Sequence, residues 1–294
     1  MVEAAQAASG GSAVSGGSGD GLDRLRDELR RLERVVVAFS GGADSAFVAW
    51  VATDTLGSDQ VLCATAVSPS LAPEELADCR ALAAEWGLRH VEVETTELAD
   101  PAYSANDGSR CYHCKTSLLD AVGPLADAEG SYVVLGVNVD DLGDHRPGQQ
   151  AAAERGALFP LVTSGMTKGE VRAWSRELGL RTWDKPAAAC LSSRVPYGTP
   201  VTFGVLQSVA DAESGLRALG FRQLRVRHYG DTARIEVPDS DLAAVVAQRK
   251  AISAAVHAAG YRYVTVDLDG FRSGNLNEAL GIQRQSLAVT GGGQ

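Results

Sequence analysis

Residues 35–47 read VVVAFSGGADSAF, and few folds accommodate them. The first part is short, β-branched and unalternated, as in a strand buried on both faces. Its last residues and the glycines that follow must turn the chain at once into a helix beginning near Asp44. Gly41 and Gly42 let the backbone turn tightly and approach an anion closely. A helix N-terminus there offers free N–H groups and a positive dipole end. The hydroxyls of Ser40 and Ser45 can donate to phosphate oxygens. Asp44 is out of place beside phosphates unless Mg²⁺ shares the site or the side chain caps the helix. The loop is neither Gly-x-x-x-x-Gly-Lys-Ser/Thr nor Gly-x-Gly-x-x-Gly. The plainer alternative is an ordinary glycine-rich turn.

Further buried runs follow at 61–67 (VLCATAV), 89–95 (RHVEVET) and 131–139 (SYVVLGVNV). Leu22, Leu25, Leu29 and Leu32 mark an amphipathic helix before the first strand, and residues 72–87 form another, with Pro73 near its start and Gly87 at its end. Strands alternating with helices predict an α/β fold with a Rossmann-like parallel sheet covered on both faces. Thr167 and Glu170 form a capping box, followed by a helix that stops at Gly179. The stretch RTWDKPAAACLSSRVPYGTPVT, 181–202, has three prolines and little periodicity, and reads as a long loop. The pattern then becomes helix (204–219), two antiparallel strands around Gly230-Asp231, helix (240–258) and strand (261–268). The expected layout is therefore a nucleotide domain at 21–199 and a smaller α+β domain at 200–285. Tails at 1–20 and 286–294, rich in Ala, Gly and Ser, are too poor in apolar residues to fold.

The chain has 294 residues and a formal net charge of −10, which argues against broad contact with nucleic acid or an anionic membrane. No apolar run approaches membrane-spanning length, and no signal peptide opens the sequence. Five cysteines give no even disulfide framework, so a reducing, cytosolic compartment is expected. Cys63 and Cys79 fall at apolar positions of a strand and a helix and read as core. Cys111, Cys114 and Cys190 remain. The Cys-x-x-Cys pair suits a redox dithiol, half a zinc site with His113 adjacent, or part of an iron–sulfur site. In an open α/β sheet the ligand crevice lies at the carboxyl ends of the strands, and a loop carrying Cys190 back over those ends would meet it.

Other residues belong to the same ends. Ser68 follows the second strand, where the chain could pass over an adenine. Gly136 stands where backbone must come close to something. Asp140, Asp141 and Asp144 cluster beyond it, suited to Mg²⁺ or to a solvated loop. Arg225 and Arg227 share one strand face, with Arg234 and Glu236 across the turn. That face is either solvated or grips anions through guanidinium forks. Arg194 is the charge nearest to Cys190 in sequence.

The loop SGGADS resembles that of the PP-loop ATP pyrophosphatases, also called adenine nucleotide alpha hydrolase-like. Together with CYHCK, DDLGDHRPG, TKGEVRAWSRELGL, WDKPAAACLSSRVPYGTP, RVRHYGDTARIEV and GFRSGNLNE, it makes the chain similar to the LarE family over about 30–280. These are ATP-dependent pyridinium-3,5-biscarboxylic acid mononucleotide sulfurtransferases, which make the organic part of the nickel-pincer nucleotide cofactor of lactate racemase. The resemblance implies ATP cleavage to AMP and diphosphate, adenylation of a substrate carboxylate, and replacement of AMP by sulfur. Members with only the cysteine matching Cys190 sacrifice its sulfur. Members with three, matching Cys111, Cys114 and Cys190, hold a four-iron four-sulfur cluster with one iron free of protein thiolate. The resemblance also implies anion binding by Arg225 and Arg227 and a homo-oligomer. The alternatives are a tRNA thiolase of the same superfamily and a non-catalytic ATP-binding protein with structural zinc.

Overall fold

In the computed structural model, residues 18–143, 147–187 and 189–272 are described; Asp144, residues 1–17 of the expected tail 1–20 and the expected tail 286–294 lie outside them, while residues 18–20 belong to the first helix rather than to a tail. Helix α1 (Ser18–Leu32) leads into β1 (Val35–Ala38), and α2 (Ala43–Leu56) follows the glycine-rich loop. Then come β2 (Val61–Val67), α3 (Pro73–Trp86), β3 (His90–Glu94), a short α4 (Pro101–Ser104), α5 (Arg110–Glu129) and β4 (Tyr132–Val134). The four strands form one parallel sheet in the order β3-β2-β1-β4.

The alternation along β1 explains its central place. Val35 and Val37 pack with Leu25, Leu29, Phe47 and Val51 on one face, while Val36 packs with Leu62, Val122 and Ala126 on the other. With apolar partners above and below, no position of β1 tolerates a polar side chain.

Short helices α6 (Pro147–Glu154) and α7 (Pro160–Thr163) lead to α8 (Lys168–Glu177). The capping box forms as the sequence predicts: Thr167 Oγ1 accepts from the Glu170 amide, and the Glu170 carboxylate accepts from the Thr167 amide. A second sheet, β5 (Arg225–Tyr229), β6 (Thr232–Glu236) and β7 (Tyr263–Val266), is mixed, with β5 antiparallel and β7 parallel to β6. Helices α9 (Phe203–Ala218) and α11 (Arg249–Ala258) cover it through Leu216, Ile252 and Val256.

Three elements differ from expectation. The fourth strand ends at Val134 rather than 139, because the chain leaves the sheet to cross the start of α2. The expected helix 240–258 is broken at Gln248 into α10 (Leu242–Ala247) and α11. Helix α5, which carries the cysteine pair in its first turn, has Pro124 inside it, and periodicity gave no sign of it.

Candidate active site

The phosphate loop is tied internally. Ser45 Oγ donates to the Gly42 carbonyl (3.2 Å) and accepts from the Ser40 amide (3.2 Å). Having spent its one proton, it must also accept from Ser40 Oγ at 3.0 Å. Gly41 has φ +65°, and a Cβ there would lie 2.9 Å from Cys79 Sγ, so the turn is closed to other residues. Gly42 is the N-cap of α2 and makes no side-chain cap bond, which leaves first-turn amides of a 14-residue helix open to an anion.

Asp44 does not cap the helix. Its Oδ2 accepts from Lys168 Nζ at 2.7 Å and its Oδ1 from Asn138 Nδ2 at 3.3 Å. The pair is only partly exposed and joins the first turns of α2 and α8. Gly136 stands where the sequence demands close approach, and the approach is to the protein itself. A Cβ at this position would lie 2.6 Å from the Ser45 amide nitrogen. Asp140 accepts from the Lys168 amide (2.8 Å), and the buried Asp141 accepts from the Asn138 amide (3.2 Å). Both aspartates thus hold backbone at the edge of the site. Among the described residues no three His, Cys, Asp or Glu side chains are gathered closely enough to hold a metal ion.

A cavity of about 410 Å³ opens at the carboxyl ends of β1 and β2. It is lined by Ser40, Gly42, Asp44 and Ser45 of the phosphate loop, by Ser68 and Gly136, and by Cys114 and Cys190. The long loop therefore does fold back over the strand ends, and its anchors are visible. Leu191 donates its amide to the Ser70 carbonyl at 2.8 Å, and Tyr103 Oη lies between Ser70 Oγ (2.5 Å) and Ser192 Oγ (2.6 Å). Asn106 Nδ2 donates to the carbonyls of Pro196 and Thr199, each at 2.8 Å. Arg110, next to Cys111, donates to the Ser192 carbonyl at 2.9 Å and to Asn106 Oδ1. These bonds draw the start of α5 toward the Cys190 loop.

The three thiols feel one another. Burial pushes the Cys114 thiol up to about 12, with the charges of Cys190 and Glu97 adding to it. Burial also raises Cys111, again with Cys190 adding. Cys111 and Cys190 are nevertheless exposed at the surface, whereas Cys63 and Cys79 are core, as their apolar positions predict.

The arginines are more heavily committed than their sequence pattern suggests. Arg194 binds Glu213 through Nε (2.8 Å) and Nη2 (3.2 Å), and donates Nη1 to the Ala189 carbonyl (2.7 Å). Glu213 is fully buried and also accepts from Arg217 (2.9 Å) and the Val226 amide (3.0 Å). Arg227, 4% exposed, pairs with fully buried Glu236 at 2.9 Å and donates to the Ser193 carbonyl at 2.7 Å. On this face Arg227 is buried, held by Glu236 and by the cysteine loop, while the half-buried Arg234 also reaches Glu236 Oε1 at 3.1 Å. Arg225 differs. It stacks over Phe271 at 4.3 Å, donates to the Arg272 carbonyl at 3.1 Å and has no carboxylate partner among the described residues, and burial followed by the charges of Arg194 and Arg227 lowers its pKa.

Lys168, Lys115 and Glu97 emerge only from the structure. A cation in the first turn of a helix opposes the helix dipole, and that was the available signal for Lys168. Lys115 follows Cys114, lines the cavity and has no hydrogen-bond partner among the described residues; burial lowers its pKa.

The NAD synthase family model matches residues 22–114, the segment holding the phosphate loop and the cysteine pair. An uncharacterized protein of Synechocystis is 49% identical over 88% of this chain and 97% of its own length. The pyridinium-3,5-bisthiocarboxylic acid mononucleotide synthase of Lactiplantibacillus plantarum is 39% identical over 86% of this chain and 92% of its own length. An uncharacterized protein of Methanocaldococcus jannaschii is 24% identical over 86% and 97%. With a PP-loop strand, turn and helix in place and this similarity over nearly the full length, the chain belongs to the LarE family, that of the pyridinium-3,5-bisthiocarboxylic acid mononucleotide synthase.

Proposed function

We propose that the protein is an ATP-dependent sulfurtransferase that converts the carboxylates of pyridinium-3,5-biscarboxylic acid mononucleotide to thiocarboxylates. The observation that carries this reading is one cavity lined both by the phosphate loop and by Cys114 and Cys190. A substrate carboxylate oxygen attacks the α-phosphorus of ATP, and the bond to diphosphate breaks. The acyl adenylate then meets a sulfur nucleophile at the acyl carbon, and AMP departs. The first-turn amides of α2 face the phosphates, and Asp44 and Lys168 set the charge beside them. Mg²⁺ belongs to this reading as the counter-ion of the triphosphate, with Asp140 and Asp141 as nearby carboxylates.

Cys111, Cys114 and Cys190 would hold a four-iron four-sulfur cluster, since thiolates are the ligands iron–sulfur clusters take. When bound, such a cluster with three protein ligands supplies sulfide from its open iron. Holding it requires the chain to draw its thiols closer and release their protons. A second reading has its own support. Cys190 is exposed, and the three thiols are not gathered as a ligand set. Cys190 would then attack the acyl adenylate itself, and loss of its α-proton with cleavage of the Cβ–S bond would leave dehydroalanine. We place either chemistry in the cytosol and in a homo-oligomer, as the family resemblance implies; among the described residues no helix is long and apolar enough to cross a membrane.

Anaerobic incubation with ATP and the pyridinium dicarboxylate, followed by mass analysis of the small molecules, tests the reading. AMP, diphosphate and a product heavier by the exchange of oxygen for sulfur are expected. ADP with orthophosphate, or an unchanged pyridinium, would overturn it.

A further inference from the structure

Glu97 is 3% exposed and sits in a 3-10 turn, Glu97–Ala99, between β3 and α4. Its carboxylate makes no hydrogen bond or ion pair among the described residues, and Oε2 is fully shielded from water without a partner. Burying a carboxyl oxygen without a hydrogen-bond partner is costly in a folded chain. A site that retains one has a use for it. The side chain lines the cavity shared by the phosphate loop and the thiols. Its neighbourhood is the thiol end. Leu98 and Cys114 pack on the same apolar cluster, and the Thr96 amide donates to Ser117 Oγ of α5 at 3.3 Å. Lys115, the residue after Cys114, lines the same cavity with its ammonium equally unpartnered.

The cavity is therefore lined, beside Cys114, by one carboxyl group and one amine that have no polar partner among the described residues. Phosphates and carboxylates are repelled by Glu97. Of the two molecules in the proposed reaction, ATP and the pyridinium dicarboxylate, only the second has a positive group, its ring. The reacting carboxylate is attached to that ring, so the ring must lie where the thiols can reach.

We propose that Glu97 is the counter-charge that selects a positively charged pyridinium ring at the thiol end of the cavity, with Lys115 facing a ring carboxylate. This rests on the proposed function and adds to it a determinant of specificity: the charge of the ring, rather than its carboxylates alone, is recognised.

The test compares pyridinium-3,5-biscarboxylic acid mononucleotide with its 1,4-dihydropyridine form, which keeps the carboxylates and phosphate but has a neutral ring. Binding is measured by calorimetry on the full chain without ATP. The wild-type protein should prefer the cationic ring by about tenfold or more, the scale of one charge-assisted contact. Glu97→Gln should bring the ratio near one and leave ATP affinity unchanged. Its ligand-free melting temperature should equal or exceed that of the wild type, since an unpaired buried charge is gone. A wild-type ratio near one overturns the proposal without any variant. So does an unchanged ratio in Glu97→Gln, or a loss for both ring forms alike. If the wild type binds neither compound, the proposed function itself falls and this inference with it.

Discussion

Lys168 Nζ stands 2.7 Å from Asp44 Oδ2, so the first turns of two helices far apart in sequence meet over the phosphate loop. The contact leaves a cation and an anion beside the amides that would face a triphosphate. Lys168→Ala and Asp44→Ala should each lower the rate of AMP and diphosphate formation by about 10- to 150-fold, the effect of losing about 1.5–3 kcal/mol of charge-assisted bonding. Nucleotide chromatography reads the result. Unchanged rates in both variants would remove the pair from the reaction.

Gly136→Ala places a methyl group 2.6 Å from the Ser45 amide nitrogen, a contact with backbone that cannot swing aside. Overpacking of this kind costs about 1–3 kcal/mol. A thermal melt should fall by several degrees, and ATP binding should weaken because the loop itself is displaced. A variant with wild-type melting would show that the segment relaxes freely.

Arg225 and Arg227 should separate. Arg227→Ala removes one of the two guanidinium partners of the fully buried Glu236 and leaves Arg234 at 3.1 Å as the other; losing that charge-assisted bond costs about 1.5–3 kcal/mol, so stability is the main loss. Among the described residues Arg225 has no carboxylate partner, and it lies near two other guanidinium groups, so an added anion would relieve it. Arg225→Ala should weaken binding of the mononucleotide substrate while leaving the melt near wild type. Equal effects of the two variants on substrate affinity would contradict this division.

The sulfur source has a mass signature. In the cluster reading, anaerobically reconstituted protein contains iron and gives several turnovers per chain with added sulfide. Cys111→Ala, Cys114→Ala and Cys190→Ala each lose both properties. In the sacrificial reading, position 190 becomes lighter by one hydrogen sulfide after one turnover, and loss of Cys111 or Cys114 is tolerated. Iron analysis and intact-protein mass decide between them.

Acid should destabilise the fold through two histidines. Burial holds His90 and His228 below the ordinary value of 6.5. His90 Nε2 donates to Thr65 Oγ1 at 2.8 Å, because that hydroxyl already donates to the Phe39 carbonyl. Between the depressed folded values and 6.5 the unfolded chain binds more protons, so stability rises with pH there. Melting temperature should fall from pH 7.5 toward 5 and level off below the folded values. Replacing both histidines by Gln should flatten that slope.

The phosphate loop was legible because one continuous segment supplies strand, turn and helix. The α8 capping box was legible for the same reason. Helix α5 was not: Gly123 and Pro124 interrupt its pattern, and it is held by long-range packing of Leu119 and Val122. Arg227 could be placed on a face by its period of two. That Arg227 was buried depended on Ser193, brought by the cysteine loop onto the hairpin that already supplied Glu236. Lys168 and Asp44 are separated by more than a hundred residues, and no local rule pairs them.

Glu213 gathers two guanidinium groups and a strand amide on one carboxylate that water does not reach, and one of those groups, Arg194, belongs to the loop that carries Cys190. A gene fragment ending before α9 would encode the ATP loop and all three reactive cysteines, yet leave Arg194 with no anion to hold it. The loop would keep its ties to Ser70, Tyr103, Asn106 and Arg110 but lose the one that fixes the Arg194 guanidinium. The smaller sheet is thus no detachable accessory: the two halves of this chain can be inherited, swapped or redesigned only together.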